Sequence, residues 1–171
     1  MEASIQSLSR VHDQLGRLLE DHQLALIHGD LEGARRLLAR FADGIRAHIR
    51  HEEDVLLPVY EERVKATRVG DPETLRDEHR QIDRALRKIE ACTTELNREG
   101  GTWEGSVLRL LEEQYRFKRL LKHHNHREDR SLYPLLDAAC SLDERRNLLR
   151  AGHRAPARPG AGVHGEEPSH P

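Results

Sequence analysis

The chain carries one short pattern of histidine and acidic residues twice. The first copy runs over residues 48–58 and the second over residues 124–134, and both end in proline. In each copy a glutamate follows the leading histidine by four residues, as His48 with Glu52 and again in the second copy. On an α-helix this spacing places the imidazole and the carboxylate on one face, one turn apart. Two such pairs offer nitrogen and oxygen ligands that suit a transition metal.

A second repeat adds two more histidines. Residues 8–15 and 75–82 share the spacing Leu-x3-His-x2 followed by Leu or Ile, with His12 and His79 at the histidine position. Both histidines occupy slots of an apolar stripe with helical period, so each is expected to face a core. Taken with the first repeat, this predicts two related helical hairpins, each supplying two histidines and one glutamate.

The elements that must position these residues are long helices. Apolar residues recurring every three or four positions predict helices over about residues 4–28, 31–66, 72–97 and 103–139. Pro58 is expected to kink the second helix or break its last turns. Ser141 with Glu144 forms a capping box that begins a short last helix, ending near residue 150.

Short loops between these helices favour an all-α fold, an up-down-up-down antiparallel four-helix bundle over residues 1–150. Residues 151–171 are rich in Pro, Gly, Ala and His and are predicted to be a disordered tail. In an antiparallel hairpin, two residues equally far from the loop lie level. His12 and His48 are equally far from residue 30, and the other two histidines flank the loop near residue 101 in the same way. The bundle therefore places four histidines and two glutamates at one height.

A lone histidine on an apolar stripe is usually a packed core residue, but this alternative weakens when six such residues converge. Buried, unpaired carboxylates are costly, and two of them repel each other across a core. A pair of cations would neutralise the carboxylates and satisfy the imidazole lone pairs. The predicted metal ligands are His12, His48, Glu52, His79, His124 and Glu128.

These motifs resemble those of the hemerythrin-like family, the HHE cation-binding domains, over about residues 4–140. The resemblance implies a non-haem di-iron centre inside the bundle, with two iron ions joined by an oxo or hydroxo group. It also implies that Glu52 and Glu128 bridge the irons and that the histidines complete each iron. Many members have a further histidine at the position of Asp83, and the matching position in the first hairpin is Gly16. Asp83 is therefore a ligand, a partner of a ligand, or a residue of the solvated edge.

Other residues near the motifs are weaker candidates. Asp129 is an alternative to Glu128, which the repeat favours. His22 shares the stripe of His12 but lies ten residues from it, about 15 Å along a helix, and is not expected to be a ligand. Three histidines that flank the motifs do not match the repeat and are expected on the surface or near the mouth of the site; they are His51, His123 and His126.

Composition bounds the function. The net charge of −2 gives no broad basic surface, so nucleic acid is not an expected partner. No apolar stretch suggests a membrane span or signal peptide, and two well-separated cysteines suit a reducing compartment, so a cytoplasmic protein is expected.

The resulting hypothesis is a di-iron protein that binds or senses dioxygen or a related small ligand, for sensing, delivery or storage. A signalling role would need a protein partner. The alternatives are an enzyme acting on peroxide or nitric oxide, an iron donor for the repair of damaged iron centres, and a plain structural bundle. Whether the chain is an enzyme is left open.

Overall fold

Helices form the regular structure of residues 3–64, 71–96 and 102–152, the part of the chain that this computed structural model describes. In chain order they are α1 (Ser9–Ile27), α2 (Leu31–His51), α3 (Leu57–Arg63), α4 (Pro72–Glu95), α5 (Trp103–Arg127), α6 (Tyr133–Ala139) and α7 (Leu142–Gly152). A 3₁₀ turn at Ile5–Leu8 leads into α1, and no strand occurs in the described ranges. The all-α prediction is confirmed.

The chain remains helical through Pro58, where the sequence predicted a kink or a break. A wide π-helical turn, Glu52–Leu56, joins α2 to α3, and the backbone N–H of Leu57 donates to the carbonyl of Glu52, five residues back. Proline lacks an N–H and its ring collides with the carbonyl four residues before it in a regular helix. The wider turn lets Pro58 stand in the first turn of a new helix, where a missing N–H costs little.

The same arrangement recurs around Pro134. The π-helical turn Glu128–Leu132 joins α5 to α6, and the N–H of Tyr133 donates to the carbonyl of Glu128. Each wide turn adds one residue to a helical turn, which rotates the following side chains by about 100° relative to a regular helix. A carboxylate ligand candidate thus opens each of the two turns.

The long helices pack as antiparallel neighbours, first within each hairpin and then between the hairpins. The contacts that show this within the hairpins are His12–His48 and His22–Ala34 for α1 and α2, and His79–His124 and Lys88–Glu113 for α4 and α5. Between the hairpins, α2 meets α4 through Arg35–Thr94, and His79 of α4 meets Glu53 just after α2. Likewise α1 meets α5 through Gln23–Gln114, and Ser9 of α1 meets Asp129 just after α5.

Two apolar clusters lie on either side of the histidine layer. The larger one fills the half of the bundle toward the α1–α2 loop and includes Phe41 and Phe117, whose rings meet edge to face. The smaller one lies beyond the layer and includes Leu56, Tyr60 and Leu136, all fully buried. The polar layer is therefore closed off from water along the bundle axis at both ends.

Local sequence fixes where the helices begin. Asp30 caps α2 by accepting from Gly33 N at 2.8 Å, and Asp71 caps α4 by accepting from Thr74 N at 2.9 Å. Gly29 takes the left-handed conformation that ends α1, with φ of 77°. The loop at Gly29 and these two caps fix where α2 and α4 begin, on which the sequence argument depends.

The C-terminal helix packs on the side of the bundle. The predicted capping box is present, since Ser141 N donates to Glu144 at 2.8 Å at the start of α7. His51, whose side chain is buried, donates from Nε2 to the carbonyl of Leu148 at 2.9 Å. Residues 151 and 152 still belong to α7, and the rest of the predicted tail lies outside the described residues. None of the helices within the described ranges has the length and apolar character to cross a membrane.

Candidate metal centre

The structure brings all six predicted ligand residues into one buried layer. They form two sets of four, His12, His48, Glu52 and Glu128, and Glu52, His79, His124 and Glu128. Within each set one ligand atom per residue lies within 4.8 Å of all the others. Glu52 and Glu128 belong to both sets, and both are fully buried. The layer therefore holds two adjacent positions that share their two carboxylates.

In the first set the ring nitrogens crowd around a common point. His12 Nε2 lies 2.9 Å from His48 Nε2 and 3.2 Å from Glu128 Oε2. His48 Nε2 lies 3.3 Å from Glu52 Oε1. Both imidazoles thus turn Nε2 inward.

The second set mirrors the first across the shared carboxylates. His124 Nε2 lies 2.9 Å from Glu128 Oε1, and His79 Nε2 lies 3.4 Å from Glu52 Oε2. These four atoms, although buried, have no hydrogen-bond partner. Four buried polar atoms that face one another without hydrogen bonds are costly unless a further group satisfies them. A cation does so, and the donor set of imidazole nitrogens and carboxylate oxygens suits a transition metal such as iron.

The outer ring nitrogens of three histidines face carboxylates. His79 Nδ1 lies 2.9 Å from Glu53, and His124 Nδ1 lies 3.1 Å from Glu78. His12 Nδ1 is farther from its carboxylate, at 3.9 Å from Asp129. A carboxylate on the outer nitrogen fixes the ring orientation and makes the inner nitrogen a better ligand.

Tyr133 reaches the first set, and the sequence analysis missed it. Its fully buried hydroxyl donates to Glu52 Oε1 at 2.6 Å and lies 3.2 Å from His12 Nε2 and 3.3 Å from His48 Nε2. The sequence does contain a signal for this residue, because Tyr133 immediately precedes the proline that ends the second copy of the motif. The matching residue of the first copy is Leu57, so a comparison of the two copies did not single out the tyrosine.

The four imidazoles of the layer differ in the direction in which their pKa values are shifted. Burial lowers the pKa of each histidine, but at three of them the carboxylates outweigh burial. The adjacent carboxylates of Glu128 and Glu52 raise the pKa of His79 to about 9, and those of Glu128 and Glu78 raise the pKa of His124 to about 10. At His12 the hydrogen bond and charge of Glu128 also raise the pKa. At His48 burial dominates and the pKa is lowered.

The surroundings also shift the pKa values of Glu128 and Tyr133. Burial raises the pKa of Glu128, but the charge of His124 and the hydrogen bonds of the histidines outweigh burial and hold that pKa well below its usual value. Burial, followed by the charges of Glu128 and Glu52, raises the pKa of Tyr133 well above its usual value. In the metal-free protein the layer thus combines an ionised carboxylate, protonated imidazoles and a neutral phenol.

The other candidate ligands considered from the sequence lie outside both four-residue sets. Asp83 lies on the α2–α4 surface, 3.2 Å from Arg46 and 2.8 Å from Arg87, and belongs to neither set. Asp129 accepts from Ser9 Oγ at 2.6 Å and is likewise outside both sets. His22 is buried against Ala34, away from the layer.

The histidines that flank the motifs are also outside both sets. His123 and His126 are exposed, as the sequence predicted. His51 was expected on the surface or near the mouth of the site and is instead buried under α7. Its burial comes from the last helix docking on α2, a contact that the motif spacing cannot show.

Fold and layer together define a helical-bundle protein with a paired histidine–carboxylate cluster at its centre. Residues 1–60 and 70–155 match the family described as hemerythrin HHE cation binding domain. The chain belongs to this hemerythrin family. Searches of curated proteins and of solved structures found no match.

Proposed function

We propose that the buried layer binds two iron ions and that the protein uses them to bind dioxygen or a related small ligand. The observation that carries the proposal is the sharing of Glu52 and Glu128 by both four-residue sets. Two carboxylates common to two positions are suited to bridging a metal pair. The histidine pairs would complete the two ions, His12 with His48 and His79 with His124.

Each position is offered four protein residues, which leaves part of an octahedral ion uncovered. Protein metal sites that carry or transform small molecules keep such a place free. When bound, iron would supply redox chemistry and the open place for the ligand. The chain's own residues orient the imidazoles through Glu53 and Glu78, exclude water with the two apolar clusters, and hold a proton on Tyr133 beside Glu52.

The test combines metal analysis with ligand binding. Protein purified from iron-replete cells should contain close to two irons per chain, and azide added to the oxidised protein should produce a new charge-transfer band. Exchanging Glu128 for Ala should remove both irons, because Glu128 belongs to both sets, whereas exchanging the nearby Asp129 for Ala should retain them. One zinc per chain, or an azide-silent iron spectrum, would contradict the proposal.

A second candidate is an enzyme that consumes peroxide, and the position of Tyr133 favours it. Its hydroxyl is a proton donor inside the cluster, at 2.6 Å from Glu52, and a positioned proton donor assists the cleavage of oxygen-containing substrates. Iron-loaded Tyr133→Phe protein should then consume peroxide about 100-fold more slowly while keeping its iron. An equal rate in wild type and variant would leave ligand binding as the better description.

A further inference from the structure

A long cleft runs between α1 and α5 on the side of the bundle. It has a volume of about 1160 Å³ and reaches from His12, at the edge of the metal layer, to Ile27 and Tyr115 near the far loop. The fifteen residues from His12 to Ile27 correspond to about 22 Å of helix. The volume is slightly above the usual range of pockets that hold small organic molecules, about 300–1,000 Å³, so the cleft has room for such a ligand.

The floor of the cleft is apolar. Leu15, Leu19, Phe41 and Ile45 line it, and all four are buried in the described structure. At the far end two large apolar side chains of the lining remain in water, Ile27 at 58% and Tyr115 at 64% exposure. An apolar floor, interrupted in the lining by Gln23, that ends in exposed apolar groups favours an elongated and largely apolar ligand.

Gly16 keeps the cleft open near its metal-layer end. A Cβ atom built at this position meets no atom within 4 Å, whereas one at Gly44, across the same hairpin, would lie 2.6 Å from Leu15. Gly16 lines the cleft one turn beyond His12. Any larger side chain there would point into empty space that a ligand could fill.

The rim on α5 is basic. Lys118, Arg119 and Lys122 line the cleft, and the histidines His123 and His126 adjoin them. Lys118 makes one long ion pair, 3.7 Å to Glu20. Arg119 and Lys122 are exposed, and Asp129 is the one carboxylate among the described residues that line the cleft. An apolar floor beneath a basic rim complements a molecule with an apolar body and an anionic head.

We propose that this cleft binds an amphipathic monocarboxylate, such as a straight-chain fatty acid. The alkyl chain lies along the floor between Leu15 and Ile27, and the carboxylate pairs with Lys122 and Arg119 on the rim. This binding site adjoins the metal layer only at His12, and the proposal goes beyond the proposed iron function. It requires no residue of the two metal sets for its main contacts.

Calorimetric titration of the purified protein with decanoate tests the proposal. Wild-type protein should bind one decanoate per chain. Gly16→Phe should weaken binding about tenfold or more by filling the cleft, and the matched Gly16→Ala should bind as wild type does, because a methyl group leaves most of the volume free. Circular dichroism confirms that both variants are folded, and iron content measured in parallel keeps this outcome distinct from that of the metal proposal.

The anionic head is tested by charge reversal. Lys122→Glu should weaken decanoate binding about tenfold, and Arg40→Glu, an exposed reversal outside the cleft, should leave it unchanged. Neutral decanol should bind wild type about tenfold more weakly than decanoate does. Unchanged binding in Gly16→Phe, equal binding of decanol, absence of binding, or a stable dimer that Gly16→Phe dissociates would each overturn the proposal.

Discussion

Two histidines of one helix show how surroundings decide the role of an imidazole. His12 and His22 both lie on the inward stripe of α1, and the sequence separates them only by their height. His22 is satisfied by neutral groups: Nδ1 donates to the Ala34 carbonyl at 2.8 Å, and Nε2 accepts from Gln114 at 2.8 Å. Burial accordingly lowers its pKa. His12 instead faces the carboxylate of Glu128.

Exchanging these histidines for alanine should give opposite results. His12→Ala should lose iron, because His12 belongs to the first set of four. His22→Ala should keep iron but lower the free energy of unfolding by about 2 kcal/mol, since two buried partners lose their hydrogen bonds. Metal analysis and urea unfolding measure the two effects. Iron loss in His22→Ala with retention in His12→Ala would mean that the assignment is reversed.

The carboxylate behind His124 has no counterpart in the first hairpin. Glu78 lies 3.1 Å from His124 and 3.0 Å from Arg127, and the residue that matches it in the earlier repeat is Val11. This difference agrees with the raised pKa of His124 and the lowered pKa of His48. The two metal positions are therefore unequal in the basicity of their ligands.

Removing the charge of Glu78 should weaken metal binding. Glu78→Gln keeps an oxygen that can accept from His124 but removes the charge that makes the ring more basic, and a loss of about tenfold in affinity is expected. Competition with a chelator measures the affinity. The control is Glu90→Gln on the same helix, since Glu90 pairs with Arg46 away from the metal layer. Equal affinities in the two variants would contradict a supporting role for Glu78.

At the scale of single residues, the sequence predicted those site residues that the internal repeats or the helical period reveal. The six residues of the two sets follow from helical spacing and from equal distance to the loops. Tyr133 and Glu78 did not follow, because each occurs in one half of the chain alone and acts through contacts across the bundle. A repeat reveals what two halves share and hides what distinguishes them.

The elements were predicted well where local chemistry sets them. Asp30, Asp71 and the capping box at Ser141 define helix starts that the sequence placed correctly, because capping depends on neighbours within a few residues. The wide turns before Pro58 and Pro134 were not predicted. Proline indicates a disturbed helix, but packing of the flanking segments decides whether the helix bends, ends or widens.

Gly44 on α2 lies directly against the side chain of Leu15 on α1. A Cβ atom there would lie 2.6 Å from Leu15, which is one turn from His12. Gly44→Val should therefore push the two helices apart, lower the free energy of unfolding by about 1–3 kcal/mol and reduce the iron content. Denaturant unfolding and iron analysis measure both changes.

Gly16→Ala is the matched comparison for Gly44. It enters open space and should raise the free energy of unfolding by about 0.5–1 kcal/mol through the better helix propensity of alanine. Equal effects of substitution at the two glycines would show that the helix contact at Gly44 is not tight.

For the molecule as a whole, bound protons take the place of metal when the protein is metal-free. The pKa values of about 9 for His79 and about 10 for His124 exceed the ordinary value of about 6.5, so the folded metal-free protein retains protons that the unfolded chain releases. Their stabilising contribution is fully present below pH 6.5 and is lost as the pH rises to about 10.

The melting temperature of the metal-free protein should therefore fall between neutral pH and pH 10, by an amount that corresponds to a few kcal/mol. The iron-loaded protein should not show this fall, because metal binding has already displaced the protons. Scanning calorimetry of both forms measures the difference. Parallel declines in the two forms would exclude the histidines as its source.

The sharing of Glu128 also has a consequence for how the protein is made. Both sets of four require this residue, which follows α5 and is therefore synthesised long after His12 on α1. A nascent chain that has not reached Glu128 holds neither position complete, however well its first hairpin has formed. Complete metal binding is therefore expected only after α5 and Glu128 have been synthesised, and a product truncated before Glu128 should lack both positions.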